Sequence, residues 1–329
     1  MEEIYFSKEI EKILEKIDYS KFGRTVAIKL HFGEKGCTTY MNPEIVRKVY
    51  NKIKSLGKEV CLVECNVLYK GSRTNSTEHI KTAREHGFDM PIDILDGENG
   101  QEFISIKGCK LGKKIKNYDS LIVLTHFKGH MMAGFGGALK NLAMGFASRV
   151  GKLDMHSLVK PSISKKCTGC GVCIKSCNVK AISIVDGKAK IDKEKCEGCA
   201  MCIAVCNNGA VSVPWGGRTS EGLQKRIAEY ASAVLGLFPN AVFINVLENI
   251  TKDCDCIEHV QKPIMKDVGI LYSKDAVAID KASLDLTNKL SNNKFNAINP
   301  INKNKQIEFA EDLKIGTSNY KLIDLDKLK

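Results

Sequence analysis

A doubly wound, mainly parallel α/β body interrupted by a small cysteine-rich insertion is the fold class that this sequence predicts. Three observations predict it. Strand-like and helix-like segments alternate before residue 159 and again after residue 217. Between them lies one internal repeat, CTGCGVCIKSCNVKAISI from Cys167 and CEGCAMCIAVCNNGAVSV from Cys196. The repeats are joined by AISIVDGKAKID, which alternates apolar and polar residues around Asp186-Gly187, a strong short hairpin signal. Residues 1–158 and 218–329 are therefore read as two parts of one body, and 159–217 as an inserted domain.

The elements follow in order. TVAIKLHF (Thr25–Phe32) reads as a strand. NPEIVRKVYNKIKSLG (Asn42–Gly57) reads as a helix, with Asn42 as N-cap, Pro43 at the first helical position and Gly57 at the C-cap. EVCLVEC (Glu59–Cys65) is a strand and STEHIKTAREHG (Ser76–Gly87) a helix. DSLIVLTHF (Asp119–Phe127) is nearly continuous in apolar residues, as strands buried on both faces are. After the insertion, NAVFINVL (Asn240–Leu247) reads as a strand and SKDAVAIDKASLDLTNKL (Ser273–Leu290) as a capped helix.

Composition narrows the function classes. The 329 residues are 43% hydrophobic and 27% charged. Such a chain is too apolar for disorder. Apolar runs such as Leu121–Leu124 fall far short of the roughly 20 residues that span a bilayer. Met1-Glu2-Glu3 is unlike the start of a secretory signal. A cytoplasmic protein with no membrane association is expected. The net charge is +12. Its lysines run along the whole chain without clustered Arg and aromatics, so no nucleic-acid role is expected. With fourteen cysteines and no export signal, metal ligation is the expected use for most of them.

Cys167, Cys170, Cys173 and Cys177, then Cys196, Cys199, Cys202 and Cys206, repeat the C-x-x-C-x-x-C-x-x-x-C spacing of bacterial ferredoxins with two 4Fe–4S clusters. Three thiolates wrap one cubane and the fourth reaches the other. Cluster one is thus expected on Cys167, Cys170, Cys173 and Cys206, and cluster two on Cys196, Cys199, Cys202 and Cys177. Structural zinc instead uses separated C-x-x-C pairs with a long spacer. The Pro usual after each fourth cysteine is replaced by Asn178 and Asn207.

THFKGHMMAGFGGALKNLAMGFASRVGKLDMH (Thr125–His156) follows a buried strand, where open α/β sheets bind ligands. Its candidate catalytic residues are His126, His130 and Lys140. Gly134, Gly136, Gly137, Lys140 and Asn141 are candidates for holding a cofactor, because a helix starting near Gly137 would offer free N–H groups to an anion. It is not a Walker loop, as no Ser or Thr follows Lys140, and Leu139 breaks a G-x-G-x-x-G reading. A glycine-rich turn with satisfied histidines is the other reading. Further on, the thiols of Cys254 and Cys256 in Asp253-Cys254-Asp255-Cys256 can face one metal. Cys37, which also follows a strand, would complete a third, three-thiolate cluster. The other reading is reduced thiols on a loop.

The chain resembles the uncharacterised Fe–S centre protein family, a domain of unknown function carrying an inserted two-cluster ferredoxin unit, found in anaerobic bacteria and methanogenic archaea. IKLHFGEKGCTTYMNPEIVR, HFKGHMMAGFGGALKNLAMGFASRVGK with His156, the double cysteine motif, and DCDC followed by DVGILYSKDAVAIDKAS carry the resemblance. More remotely, His130, the Gly134–Gly137 run, Lys140 and His156 look like the cofactor segment of nickel-dependent lactate racemases. That likeness implies that Lys140 faces a cofactor or substrate, that His130 is an acid/base and that His156 is a metal ligand. A second catalytic histidine of the racemases has no clear counterpart in GSRTNSTEHI, where Ser72-Arg73 stand.

Three functions are consistent with these residues. One is an oxidoreductase whose two 4Fe–4S clusters relay electrons to a small-molecule substrate or cofactor in the body, with a ferredoxin or reductase as redox partner. Another is a non-catalytic electron-transfer subunit. The third is a sulfur- or cluster-handling protein with an additional cluster or metal at Cys254 and Cys256.

Overall fold

A computed structural model describes residues 1–327. Among the described residues eight strands form one sheet. They are β1 (Glu2–Ser7), β2 (Thr25–Lys29), β3 (Glu59–Glu64), β4 (Ile92–Ile94), β5 (Ser120–His126), β6 (Val242–Leu247), β7 (Gly269–Ser273) and β8 (Tyr320–Asp324). Their order is β8-β1-β7-β6-β5-β2-β3-β4. Pairing is parallel from β6 through β4 and between β1 and β8, while β7 runs against both of its neighbours. The chain beyond the insertion thus rejoins the first sheet, because β6 adds beside β5 with Ile244 opposite Leu124.

Alternate strand residues feed two cores. Val26, Ile28, Leu62, Ile122 and Ile244 pack against α1 (Ile10–Lys16), α2 (Pro43–Ser55) and α3 (Ser76–Glu85). Ala27, Val63, Leu121, Val123 and Phe243 face the opposite layer, built by α4 (Ala138–Phe146), α6 (Ser220–Leu235), α7 (Ala276–Leu290) and α8 (Lys305–Asp312). That leaves helices on both faces of a mainly parallel sheet, as the alternation predicts. Asn42 caps α2 by accepting from the Glu44 N–H (3.0 Å), which satisfies a donor at the helix start. The strand expected over Thr25–Phe32 ends at Lys29, where the chain leaves the sheet to build the site.

A short helix, α5 (Arg149–His156), leads into the cysteine-rich unit. There Ile182–Val185 and Lys188–Ile191 form the expected hairpin, with Asp186 (φ 48°) and Gly187 (φ 72°) at its tip. Both left-handed residues suit the tight turn that matches strand twist. Ser162–Ile163 pairs with Val211–Ser212 and closes the unit on itself. Its small core, including Ile182, Ile191, Ile203 and Val211, is continued by Leu68 and Leu153 of the body. No helix among the described residues is long and apolar enough to cross a membrane.

Candidate functional site

The chain runs from β2 outward to β3 and β4, then crosses back to β5 and β6, so the strand order reverses between β2 and β5. The carboxyl ends of strands at such a reversal leave a crevice. Here a cavity of about 570 Å³ occupies it. β2 and the residues just beyond it contribute Lys29 and His31, and β3 contributes Glu64 with Cys65 after it. The end of β5 and the segment after it contribute His126, Lys128, His130, Gly136, Lys140 and Asn141. Lys152 and His156 of α5, Trp215, and the loop from Asp253 to Glu258 complete the wall.

Three buried ion pairs brace it. Lys29 Nζ lies 3.0 Å from Glu64 Oε1, Arg73 Nε 3.3 Å from Glu34 Oε2, and Lys128 Nζ 2.8 Å from Asp255 Oδ2. Burial pushes the Asp255 carboxyl up, but His126 and Lys128 outweigh it and hold the group well below the usual carboxylate range. Lys152 is satisfied by two carbonyls, Cys65 O (3.3 Å) and Ala147 O (2.7 Å). Lys140 stands apart: among the described residues its ammonium has neither an ion-pair partner nor a hydrogen bond. Burial, then Lys128, lowers its pKa to about 7, because both disfavour the charged form.

The structure separates the sequence candidates by what each side chain does. His130 Nδ1 accepts from the N–H groups of Met132 (3.2 Å) and Ala133 (3.0 Å). That leaves the proton on Nε2. His130 is thus a hydrogen-bond donor, and burial with nearby Lys140 and His156 keeps its pKa well below the usual value. In this arrangement Nδ1 is engaged by the backbone and Nε2 carries the proton toward the cavity. His126 is engaged at both nitrogens. Its Nδ1 meets Asp255 (2.9 Å) and its Nε2 meets Glu248 O (2.9 Å), so neither nitrogen is left for a ligand.

Gly134 lies outside the cavity wall and admits Lys303, whose Cγ would stand 2.6 Å from an added Cβ. Two of the N–H groups expected to be free at the start of α4 are taken. Asp280 accepts from Ala138 and from Leu139 (2.6 and 2.9 Å), and Gly137 leaves room for that carboxylate. Asn141 spends its amide on Lys29 Nζ (2.9 Å), Leu124 O (3.1 Å) and Thr125 Oγ1 (3.0 Å), tying β2 to β5. His156 keeps an unpartnered Nδ1, packs edge-on to Trp215 and, through burial and then Lys140, has its pKa lowered to about 3. Lys140, Gly136, His130 and His156 therefore remain as ligand-facing candidates.

Lys29, His31, Arg73, Lys128 and Lys152 were missed as site residues. One signal pointed to two of them: Lys29 and His31 are polar positions inside an otherwise apolar strand segment, TVAIKLHF.

In the cysteine-rich unit the two motifs meet. A small cavity is lined by Cys167, Cys170, Cys173 and Cys206, three from the first motif and one from the second. Cys199 and Cys202 each sense Cys196 and Cys177 as charged neighbours, the complementary set. Backbone N–H groups already address the sulfurs. Ala181 donates to Cys177 Sγ and Ala210 to Cys206 Sγ, both at 3.2 Å, and Ala189 donates to Cys167 Sγ at 3.3 Å. The donors on Cys167 lower its thiol pKa, while burial pushes the Cys202 thiol up to about 12. Bound iron would offset that burial by supplying positive charge, so the donor set fits an iron–sulfur cluster. Among the described residues no group of three or more His, Cys, Asp or Glu converges to hold a single metal ion.

α5 joins the two regions. Lys152 and His156 line the body cavity. Leu153 enters the core of the cysteine unit, and the buried guanidinium of Arg149 feels both Asp96 and Cys199. Lys70 Nζ donates to Cys206 O (3.0 Å) and reaches Asn207 Oδ1 (3.5 Å), which gives the residue in place of the usual Pro a docking contact.

Cys254 and Cys256 are bonded to each other as a disulfide. Cys37 is a buried free thiol, pushed up by burial and 3.6 Å from Thr39 Oγ1. Its loop does pack on the Cys254–Cys256 loop, with Glu34 N–H donating to Asp255 O (2.8 Å).

Residues 26–285 match the model of a family described as a domain of unknown function, DUF362. No curated protein matches the chain. The lactate racemase apoprotein from Thermoanaerobacterium thermosaccharolyticum is 12% identical at a TM-score of 0.38, over 88% of this chain and 58% of that one. A crystal structure of a protein from Thermotoga maritima is 10% identical at a TM-score of 0.42, over 86% of this chain and 56% of that one. The chain spans little more than half the length of each.

Proposed function

The chain belongs to the DUF362 family, and on that premise we propose that it is an iron–sulfur oxidoreductase acting on a small molecule with an anionic group. Cys167, Cys170, Cys173 and Cys206 would hold one 4Fe–4S cluster, and Cys196, Cys199, Cys202 and Cys177 the other. Such clusters supply one-electron transfer when bound. The observation that carries the reading is the position of α5, which touches the cysteine unit through Arg149 and Leu153 and the cavity through Lys152 and His156.

The cavity residues have defined work in this reading. Lys140 is the cavity lysine with neither an ion pair nor a hydrogen bond among the described residues, so it would hold the anionic group. His130 donates from Nε2 beside it. Asn141 and the Lys29–Glu64 pair keep the strand ends in place. Asp253 and Glu258 stand at the cavity wall away from these pairs, and Trp215 gives an apolar surface next to His156. A subunit that only carries electrons has no need of such a cavity. Sulfur handling is favoured by a separate observation, the Cys254–Cys256 bond at the cavity wall.

The test is metal and sulfide content with EPR on protein loaded without oxygen. About eight irons and eight sulfides per chain, with interacting cubane signals on reduction, are expected. Fewer than about four irons, or zinc in their place, sinks the reading. Anionic acceptors should reoxidise the reduced protein, and Lys140→Ala should slow that by about tenfold or more at low acceptor concentration.

A further inference from the structure

We propose that Cys254 and Cys256 form a redox-active disulfide whose opened dithiol acts within the body cavity. Both residues line that cavity, together with Lys128, Lys140 and His130. The loop that carries them is held by contacts independent of the S–S bond. The Asp255 carboxylate is fixed by His126 and Lys128 (2.9 and 2.8 Å). Asp255 O accepts from the Glu34 N–H (2.8 Å). Cys254 O accepts from Ile257 N–H (3.2 Å) and from Gln261 Nε2 (3.3 Å), and the Tyr69 hydroxyl lies 3.2 Å from Cys256 O. Opening the S–S bond therefore leaves two thiols side by side on a loop that keeps its shape.

The same segment that touches this loop touches the cysteine unit. Leu68 sits in that unit's core and in the cavity wall, Tyr69 approaches Cys256 O, and Lys70 binds Cys206 O. The step balances as one S–S bond broken, two electrons and two protons taken up, and two S–H bonds formed. The electrons come one at a time from reduced iron–sulfur centres and the protons from cavity solvent. Exchange with a disulfide substrate restores the bond: its S–S bond breaks, it leaves as two thiols, and the two electrons and two protons of the dithiol go with it. The inference rests on the electron-relay reading for the source of the electrons, and not for the presence of the bond.

The experiment uses the full chain, iron-loaded and unloaded, under anaerobic conditions. Each is treated with ferricyanide, freed of it, and alkylated with N-ethylmaleimide in denaturant before and after photoreduction with deazaflavin. Mass spectrometry reads the peptide holding Cys254 and Cys256. The expected result is no label before reduction, and two labels afterwards in the loaded chain alone. Reductive titration should take up about four electrons per loaded chain, and about two in Cys254→Ser/Cys256→Ser with iron content unchanged. Three results would overturn the proposal. Both thiols labelling after ferricyanide means that no bond forms. Labelling only after dithiothreitol, in loaded and unloaded chains alike, means that the bond is structural. Loss of about four irons in the double variant means that the pair ligates a third cluster. A wild-type chain that takes up little iron defeats the relay reading instead, and is separated from these by its iron count.

Discussion

Lys140 shows how one unpaired side chain shapes both stability and binding. Its ordinary pKa is 10.5, and burial brings it to about 7 in the fold. The unfolded chain therefore holds the extra proton between about pH 7 and 10.5, and stability rises with pH across that window. Below it the cost of the buried ammonium is fully present. Part of the side chain reaches water, so Lys140→Met should stabilise the protein at pH 6 by only about 1–2 kcal/mol. Urea unfolding over a pH series should show the variant's profile flattened between about 7 and 10.5. Arg149 offers a second case. Its Nε and Nη1 have no hydrogen-bond partner, yet the group is buried and senses Cys199. Removing a positive charge near a cluster favours its less negative, oxidised form. Arg149→Met should lower the potential of the cluster proposed on Cys177, Cys196, Cys199 and Cys202 by about 50 mV, read by EPR-monitored titration, and leave the other nearly unchanged. At this scale the sequence was legible where chemistry is local. Cysteine spacing named two candidate ligand sets. Lys140 and His130 stood out in a glycine-rich run, but the N–H groups that set the His130 tautomer could not be read from composition. Lys152 looked like any lysine, because only the docking of α5 brings it to Cys65 O.

Among the elements, α5 carries the largest consequence for its length. Leu153 is 4% exposed and packs into the core of the cysteine unit. Leu153→Ala should cost about 2–4 kcal/mol in chemical denaturation and loosen the unit from the body. Asn207→Pro, which restores the usual ferredoxin residue, should preserve iron binding while removing a partner of Lys70. Faster proteolysis around the unit would reveal it. Helix α4 illustrates what a sequence pattern omits. Glycines before a helix suggested free N–H groups, but Asp280, far along the chain from Ala138, fills that position. Strands β1, β4, β7 and β8 escaped notice: β4 and β8 lie at the two edges, β7 is a short run between charged segments, and β1 carries Glu2 and Glu3 among its apolar residues. The buried strands β5 and β6 were plain because burial on both faces leaves mostly apolar residues.

For the whole molecule, the class of fold was readable from strand and helix alternation, whereas the crevice was not. It depends on strand order, which brings the ends of β2, β3 and β5 together from distant stretches of chain. The insertion begins and ends at neighbouring points. A Cβ on Gly217 would lie 1.9 Å from Ser157 Oγ. Replacing residues 159–217 by a short glycine–serine linker should therefore leave a body that unfolds cooperatively and binds almost no iron, which calorimetry and iron analysis can check.

That closeness of the two ends also bears on how the chain assembles. β5 leaves the ribosome well before its neighbour β6, and at ~5–20 residues per second its edge stays bare for several seconds. A cysteine unit that folds in that interval removes about half of the chain separating the two strands, which lowers the entropy of closing the loop by about 0.6 kcal/mol. On the proposed iron–sulfur reading the unit would act as a clasp during synthesis, and supply of iron would hasten closure of the sheet about threefold.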